Sequence, residues 1–536
     1  MRAAASPSCD TVQPQLPARS LLLAIKPCAL MGLLLLNGSL CSAQTTNTAS
    51  GTRPLSLREC VDLALSRNLD LRIVRLTSDI AAYDLRGAWG VYSPLLTFRA
   101  QHDFIDQPGN FDPKKSGPDF PYELNNDTLS AGLTGQLPIG LTYDFNTFAS
   151  EQHAKTDFSL SPRDAILFPG GVRDTNNTYA DAQIALRQHL LRDFWIDAQR
   201  QQILIRRKDL KISQEAFRFQ LMRTTLAVEL AYDDLIAARE SVRVQEKALE
   251  LRQQLVAETK RRVQLGDLPP LDIDQAQTQL ENSITALAAA REVLQAQQNL
   301  LKSLLTDDFR TWMDVEVQPS DPLLAIPPAV SRSESFYNAL KNRPDLIEAR
   351  VAIEKSEVMI RFRKNQLFPN VDLVGGYGGV GIDPDTSTAV NHTYSFLNPN
   401  YFYGVVMTVP LANLTERNSY RASKASKQIA ELQLKKAEQD VLVQVADLVN
   451  RVQSRYIQIG STHQARVYAE AALAAEQKKL QNGLSTAFIV LQLQETLTAA
   501  RTAEFQAMAD YNKMLAQLAF AEGSILEKHQ LNLEVK

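Results

Sequence analysis

From Leu221 to Val263 every seventh residue is apolar: Leu221, Val228, Leu235, Val242, Leu249, Val256 and Val263. The run stops at RVQLGDLPPLDID and resumes as Ile273, Leu280, Leu287, Leu294 and Leu301. A seven-residue period belongs to helices that supercoil against neighbours. Gly266 followed by Pro269 and Pro270 is a helix stop and then a restart. The stretch therefore predicts a long helical hairpin. Three residues after the seam positions of its first arm stand Thr224, Ala231, Ala238 and Gln245, where a two-stranded coiled coil favours Leu. Small residues there suit helices packed side by side in a curved wall, or the partner face of a short globular bundle.

The hairpin has a second copy. ALSRNLDL (64–71) matches ALKNRPDL (339–346), and 275 residues separate both Ala64 from Ala339 and Pro94 from Pro369. A constant offset over this distance is an internal duplication. Residues 55–92 read as a helix opened by Ser56 with Glu59 three positions on, the capping-box spacing, and closed at Pro94. In the second copy Leu434, Val441 and Leu448 give way to Val445, Val452, Ile459, Leu473 and Leu480, a neighbouring seam that Arg466 breaks once. Gly483 is the stop, and the descending arm carries Met508, Leu515 and Leu518. Ascending arms of roughly 65 residues reach about 100 Å at about 1.5 Å per residue.

Between helices, the chain alternates. Leu96, Phe98, Ala100 and Phe104 share one face, with Thr97, Arg99, Gln101 and Asp103 on the other. LSAGLTGQL (129–137) and LTYDFNTFA (141–149) flank the turn Pro138-Ile139-Gly140, residues 179–188 alternate around Ile184 and Leu186, and Tyr401, Tyr403, Val405, Met407 and Val409 share a face. Such segments are the signature of membrane β-barrels, although a soluble β-sandwich alternates in the same way. The polar joins 105–127 and 150–178 resemble external loops and favour the barrel. After residue 43 no stretch has the roughly 20 apolar residues of a membrane-spanning helix.

The first 43 residues read as an export signal. Arg19 and Lys26 precede ALMGLLLL, and Cys41-Ser42-Ala43 offers small residues for cleavage. Leu40 stands where lipidation of Cys41 would want a small residue. Only Cys60 remains beyond the signal, so no internal disulfide framework is expected, and a small buried hydrophobe is its expected role. A net charge of −3 gives no nucleic-acid footprint. The six histidines are scattered, so no metal or other cofactor is expected. Gly376, Gly378 and Gly381 match GxGxxG, but DPDTSTAVNH after them reads as non-helical, and a dinucleotide site needs a helix there. Glycines that ease close packing in a strand are the better reading. No catalytic constellation is present, and an enzyme is not expected. The expected divisions are a signal peptide 1–43, a first repeat 44–305 (strands 95–188, hairpin 195–305), a linker 306–332, a second repeat 333–523 (strands 370–410, hairpin 415–523) and a polar tail 524–536 that is mobile.

LSLRECVDLALSRNLDL…SPLLTF and FYNALKNRPDLIEAR…LFPNVDL, with the tips LGDLPPLDIDQAQ and NGLSTAFIVLQ, resemble the TolC-like outer membrane efflux proteins. The resemblance implies an α+β membrane protein: a trimeric outer-membrane β-barrel continuous with a long periplasmic α-helical coiled-coil barrel, built from two repeats. It implies an exit duct for a tripartite efflux or type I secretion system in a Gram-negative outer membrane. The implied partners are two further copies, a periplasmic adaptor, an inner-membrane transporter and outer-membrane lipid. Drug efflux, metal efflux and protein secretion are all compatible with it. An exported coiled-coil envelope spacer or adhesin with a β-domain is the alternative, which gives no reason for two registered copies.

The sequence departs from that family in two places. The usual protomer has two strands per repeat, whereas residues 128–150 add a hairpin to the first, either within the barrel or above it. At the second tip the best-studied members have Tyr three before the Gly, Arg two after, and carboxylates six and nine after. Here Leu480, Ser485, Ile489 and Gln492 stand at those positions, while Asp272 keeps the acid of the first tip. The resemblance makes Gly266, Asp267, Leu268, Gly483, Leu484 and Ser485 the adaptor-docking tips. It makes Asp272, Ile489 and Gln492 the aperture candidates, with Asp272 expected to bond Ser485 or Thr486.

Overall fold

The computed structural model describes residues 51–109, 120–157, 171–266, 269–327, 330–482 and 484–531. The expected signal segment, Cys41 included, lies outside them. In chain order come β1 (Thr52–Leu55), α1 (Leu57–Arg67), α2 (Leu69–Ala88), β2 (Leu95–Gln107), β3 (Tyr122–Gln136), β4 (Leu141–Asp157) and β5 (Val172–His189). Then follow α3 (Ala198–Gln264), α4 (Leu271–Leu305), β6 (Glu316–Pro319), α5 (Arg332–Asn342), α6 (Pro344–Asn365) and β7 (Asn370–Asp383). The chain ends with α7 (Thr386–Tyr394), β8 (Pro399–Thr408), α8 (Leu414–Gln481), α9 (Ala487–Glu522) and α10 (Ile525–Lys528).

The Ser56 capping box is formed: its hydroxyl accepts from the Glu59 amide at 3.3 Å, and the Glu59 carboxylate accepts from the Ser56 amide at 2.8 Å. The expected single helix over 55–92 is divided, however. Asn68 leaves the helical conformation, and its side chain accepts from the amides of Asp70 and Leu71. A cap for the second helix ends the first.

Six strands form one antiparallel sheet in the order β2-β3-β4-β5-β7-β8. The additional hairpin supplies β3 and β4, which lie inside this sheet. The register aligns Leu96, Leu133, Phe145, Ile184, Tyr377 and Tyr401 in one row across all six strands. The adjoining row is Thr97, Gly132, Asn146, Gln183, Gly378 and Asn400. Successive residues of a strand point to opposite faces, so the sheet has one apolar and one polar face. The apolar face is open: Phe98 is 74% and Tyr403 85% exposed. Strand also continues into the segments expected as loops. Asn125, Asn126 and Asp127 pair with His153, Gln152 and Glu151, because a backbone ladder does not need apolar side chains.

Residues DPDTSTAVNH prove partly helical. The Asp385 carboxylate accepts from the Thr388 amide at 2.9 Å and from the Ser387 hydroxyl at 2.6 Å, which caps α7. This helix turns back over β5 and β7, and the Thr393 hydroxyl donates to the Ala180 carbonyl at 3.1 Å. A Cβ on Gly381 would collide with the Ala389 carbonyl, and one on Gly379 with the Thr393 carbonyl. The glycine run serves this close approach.

α3 packs on α2 and α6 in the half nearer the sheet and on α4 and α9 in the other half, while α8 packs on α6 and α9. The helices α3 and α8 have 67 and 68 residues, about 100 Å each. Leu221, Val228 and Leu235 of the seam are buried. Midway along α3, Val228 and Leu235 meet α1, β1 and β6 in a core centred on Tyr232. The Tyr232 hydroxyl donates to the Leu55 carbonyl at 2.9 Å. Cys60 is fully buried there, and burial pushes its thiol up to about 12, which makes it inert. The segment expected as a linker also belongs to this core: β6 pairs in parallel with β1, and Trp312 is buried.

The polar tail was expected to be mobile, but residues 524–531 are packed. Ile525 and Leu526 are buried against Leu71, Leu221 and Met222. Lys528 and His529 lie 2.6 and 3.1 Å from the two oxygens of buried Glu229. Two apolar residues among polar ones leave no periodic signal, and the charges have their partner 299 residues away. Residues 532–536 lie outside the described residues.

Burial raises the Glu229 carboxyl, but the bonds and charges of His529 and Lys528 outweigh it and leave it below its ordinary value. Next to it, burial and then the Glu229 charge push Asp233 up to about 7 from 3.8. Asp233 is raised in the folded state, so its stabilising contribution is complete below about pH 4 and is lost as pH rises towards 7. Glu229 acts oppositely, contributing above its ordinary value and losing that contribution as pH falls through its lowered one. Asp233→Asn should therefore flatten the fall in thermal midpoint between pH 4 and 7. A profile identical to that of the unmodified protein would show that Asp233 ionises as it does in water.

Candidate functional site at the hairpin tips

At each tip the described residues on either side of the turn are held by local backbone hydrogen bonds. Gly266 has φ +84°, and its amide donates to the Val263 carbonyl at 3.1 Å. A Cβ there would meet nothing within 4 Å, so the left-handed backbone alone requires glycine. The amides of Asp272 and Ile273 then donate to the carbonyls of Pro269 and Pro270 at 3.1 and 3.0 Å and start α4. Asp267, Leu268 and Gly483 lie outside the described residues. At the second tip the Leu484 amide donates to the Lys479 carbonyl at 2.9 Å, closing α8, while the Leu484 side chain is 77% exposed.

Within the chain Ser485 is bound to its own hairpin, not to Asp272. Its hydroxyl donates to Glu476 at 2.5 Å, and Lys479 lies 2.9 Å from the same carboxylate. The Ser485 bond, then the Lys479 bond, hold the Glu476 carboxyl below its ordinary range. Ile489, 39% exposed, and the exposed Gln492 are one turn apart on α9. Between them Val490 and Leu491 are buried at 1% and 6%, and Val490 packs with Ala469, Leu473 and Leu497. Ile489 and Gln492 thus lie off the packed face of the hairpin.

A residue that periodicity did not single out joins the two tips. Arg262, one turn before Gly266, pairs with Glu258 at 2.9 Å and donates to the Leu480 carbonyl of the second hairpin at 3.3 Å. Leu480 thus takes part through its backbone. Further along, buried Arg252 donates to the Gln279 carbonyl at 2.8 Å. Its Nε and the Gln494 Oε1 are buried without a protein partner beside one small cavity between the hairpins.

The second hairpin is held together by charge. Glu504, 8% exposed, pairs with Arg466 at 2.5 Å and with His463 at 2.6 Å. Glu470 pairs with Arg466 at 3.0 Å and with Arg501 at 2.8 Å. Arg466, which reads as a break in the apolar seam, is the centre of this network. The i,i+4 pair Arg466–Glu470 was the available signal. Among the described residues no group of three or more His, Cys, Asp and Glu could hold a metal ion.

The profile described as OEP, Outer membrane efflux protein, matches residues 336–524. The fold is also that of solved outer-membrane proteins. A membrane protein from Pseudomonas aeruginosa is similar with a TM-score of 0.63 at 18% identity, over 88% of this chain and 91% of that one. For the outer membrane protein VceC of Vibrio cholerae the values are 0.62 and 18%, over 87% and 96%. For the CmeC outer membrane channel of Campylobacter jejuni they are 0.63 and 13%, over 89% and 90%. No curated protein matches the chain in sequence.

Arg262→Met removes the side-chain bond between the tips while keeping the stem. Amide hydrogen exchange in peptides covering 476–486 should accelerate several-fold, and exchange in 463–475, held by the charge network, should not change. Equal exchange at the tip in both proteins would mean that Arg262 does not tie the hairpins.

Proposed function

We propose that this protein is the outer-membrane exit duct of a tripartite efflux or type I secretion assembly, working as a homotrimer with a periplasmic adaptor and an inner-membrane pump. The observation that carries the reading is that both sides of the protomer are unfinished in a matching way. Strands β2 and β8 each have one free ladder edge. Next to them, α2 exposes Leu69, Ile73, Leu76, Ile80 and Tyr83, each at least half exposed and spaced by four and three. On α8, Ala422, Ala425, Ile429 and Leu432 form an exposed stripe of the same spacing. A second copy that sets β8 and α8 against β2 and α2 satisfies the ladder and covers both stripes.

In hydrocarbon an unpaired edge is untenable, and only a closed barrel of strands avoids it. Three copies would close a barrel of about 18 strands, within the range of known channels. No described helix is long and apolar enough to cross a membrane, and in this reading the strands are the spanning elements. About 9–11 residues suffice for a crossing. Strands β3, β4 and β5, with 15, 17 and 18 residues, are long enough to stand clear of the bilayer. Mass measurement of the solubilised protein should give a trimer that conducts in planar bilayers, and Leu76→Glu with Ile80→Glu should give monomers. A stable, non-conducting monomer from the unmodified chain would favour the spacer or adhesin reading.

The tips, Gly266, Asp267 and Leu268 with Gly483, Leu484 and Ser485, are the proposed adaptor-docking surface, with Leu484 as its apolar contact. Leu484→Asp should abolish export while the trimer stays in the membrane; export at the normal rate would place docking elsewhere. Threefold symmetry would turn Ile489 and Gln492 into an apolar ring and an amide ring, a constriction that closes by excluding water. The charge network inside the second hairpin, together with a link between the tips that rests on Arg262 while α9 packs on α3 further along, supports movement of the tip of that hairpin as the opening step. Resting leak should then depend little on pH. Ile489→Asp should create block by divalent cations in single-channel recordings, and unchanged conductance and block would put Ile489 outside the lumen.

A further inference from the structure

Where the sheet meets the helices, a cleft of about 860 Å³ opens between the C-terminal end of α2, the start of α3 and the end of α6. Trp89, Tyr92, Trp195, Ile203, Leu204 and Phe368 line it, and Pro138 of the β3–β4 turn closes it above. Trp195 is 80% and Trp89 52% exposed. Large indoles left in the open at the end of an apolar sheet face are the composition of a membrane–water interface.

The same cleft is cationic. Arg200, Arg207, Arg361 and Lys364 all line it. Arg200 is committed to the fold, pairing with Asp197 at 3.1 Å and donating to the carbonyls of Trp195 and Asp193 at 3.0 and 3.2 Å. Arg207, Arg361 and Lys364 have no carboxylate partner among the described residues, and the buried Tyr92 hydroxyl has no hydrogen-bond partner. Three free cations and a spare hydroxyl over an apolar floor fit an amphiphile with an anionic head. A neutral lipid would leave the cations unanswered, and a free anion would leave the floor and indoles wet.

The additional hairpin builds this cleft. Its turn is seated against the start of α3 and the end of β5: Gln136 donates to Asp197 at 3.4 Å, Gln188 of β5 donates to the Ile139 carbonyl at 3.2 Å, and Arg200 lies 2.9 Å from where a Gly140 Cβ would be. With φ +82°, Gly140 both makes the turn and admits the guanidinium. The hairpin that the family pattern lacks thus supplies the upper wall.

We propose that this cleft binds one anionic phospholipid per protomer from the periplasmic leaflet, its phosphate held by Arg207, Arg361 and Lys364 and one acyl chain laid along Trp195 and Phe368. The proposal rests on the outer-membrane reading. Bidentate pairing favours Arg for phosphate, and aliphatic stems of Arg and Lys cover apolar surface while their heads reach the charge.

Native mass spectrometry of the full chain with added phosphatidylglycerol, phosphatidylethanolamine of matched chains, or inorganic phosphate tests it. Phosphatidylglycerol should be retained at least tenfold more than phosphatidylethanolamine, one per chain. The triple variant Arg207→Gln, Arg361→Gln, Lys364→Gln should abolish the difference, and Arg207→Lys with Arg361→Lys should keep most of it. Should the triple variant misfold, Trp195→Ala, at an exposed position, should still reduce retention of phosphatidylglycerol severalfold. Equal retention of the two lipids, or full displacement of the lipid by inorganic phosphate, overturns the proposal. Every wall comes from one chain, so the count is readable on a monomer. A conducting trimer without lipid preference defeats this proposal alone, and a non-conducting monomer defeats the channel reading.

Discussion

A strand carries hydrogen-bonding groups along both sides, and β2 and β8 have each found a partner on only one. That unmet backbone demand organises the rest. In water it invites association with any other edge; in a bilayer it must be met by closure. The helices continue the same arrangement: α2 leads into β2 through a short 3-10 turn and α8 follows β8 after a short join, so the free ladder edges and the exposed apolar stripes lie on the same two flanks. The proposed trimer meets both demands with one contact. The six-strand row from Leu96 to Tyr401 would then continue around the barrel as an unbroken apolar band.

The two hairpins differ in how they are held. In the second, Glu504 of α9 reaches Arg466 and His463 of α8, and Glu470 joins Arg466 on its own helix to Arg501 on α9. Breaking one side of such a partly buried pair is costly, because it strands the other charge. Between hairpins at the tip, one guanidinium reaches one carbonyl. A hydrogen bond from a charged donor to a neutral carbonyl is worth about 1.5–3 kcal/mol net, a small sum beside the packing of α9 on α3 further from the tip.

The elements that were legible in the sequence are those whose partners repeat. Leu221 to Val263 and Leu434 to Leu480 disclosed α3 and α8 because a seam against neighbouring helices recurs every seven residues. The alternation around Phe98, Ile184 and Tyr403 disclosed strands because one face is apolar. What stayed hidden depends on single contacts, local or distant, that do not recur along the chain. Asn68 divides a helix by bonding two amides, and α7 forms because Asp385 caps it and Gly379 and Gly381 make room. The parallel pair of β1 and β6 joins segments some 260 residues apart. At the tips, sequence placed Leu484, Ile489 and Gln492 by offset from Gly483. It could not show that Arg262 reaches across to Leu480, since a carbonyl acceptor has no residue signature.

The packed end of the chain has a consequence for biogenesis. Glu229, buried in the middle of α3, has its hydrogen-bonding partners in Lys528 and His529, 299 and 300 residues later. Until those residues arrive, the first repeat holds a desolvated carboxylate next to a second acid, Asp233. Closing so long a loop is entropically slow, and it has to wait for the last part of the chain to be delivered. The first repeat therefore cannot reach its final stability ahead of the second. A polypeptide interrupted near its C-terminus would keep most of its helices and yet lack the clasp that joins its beginning to its end.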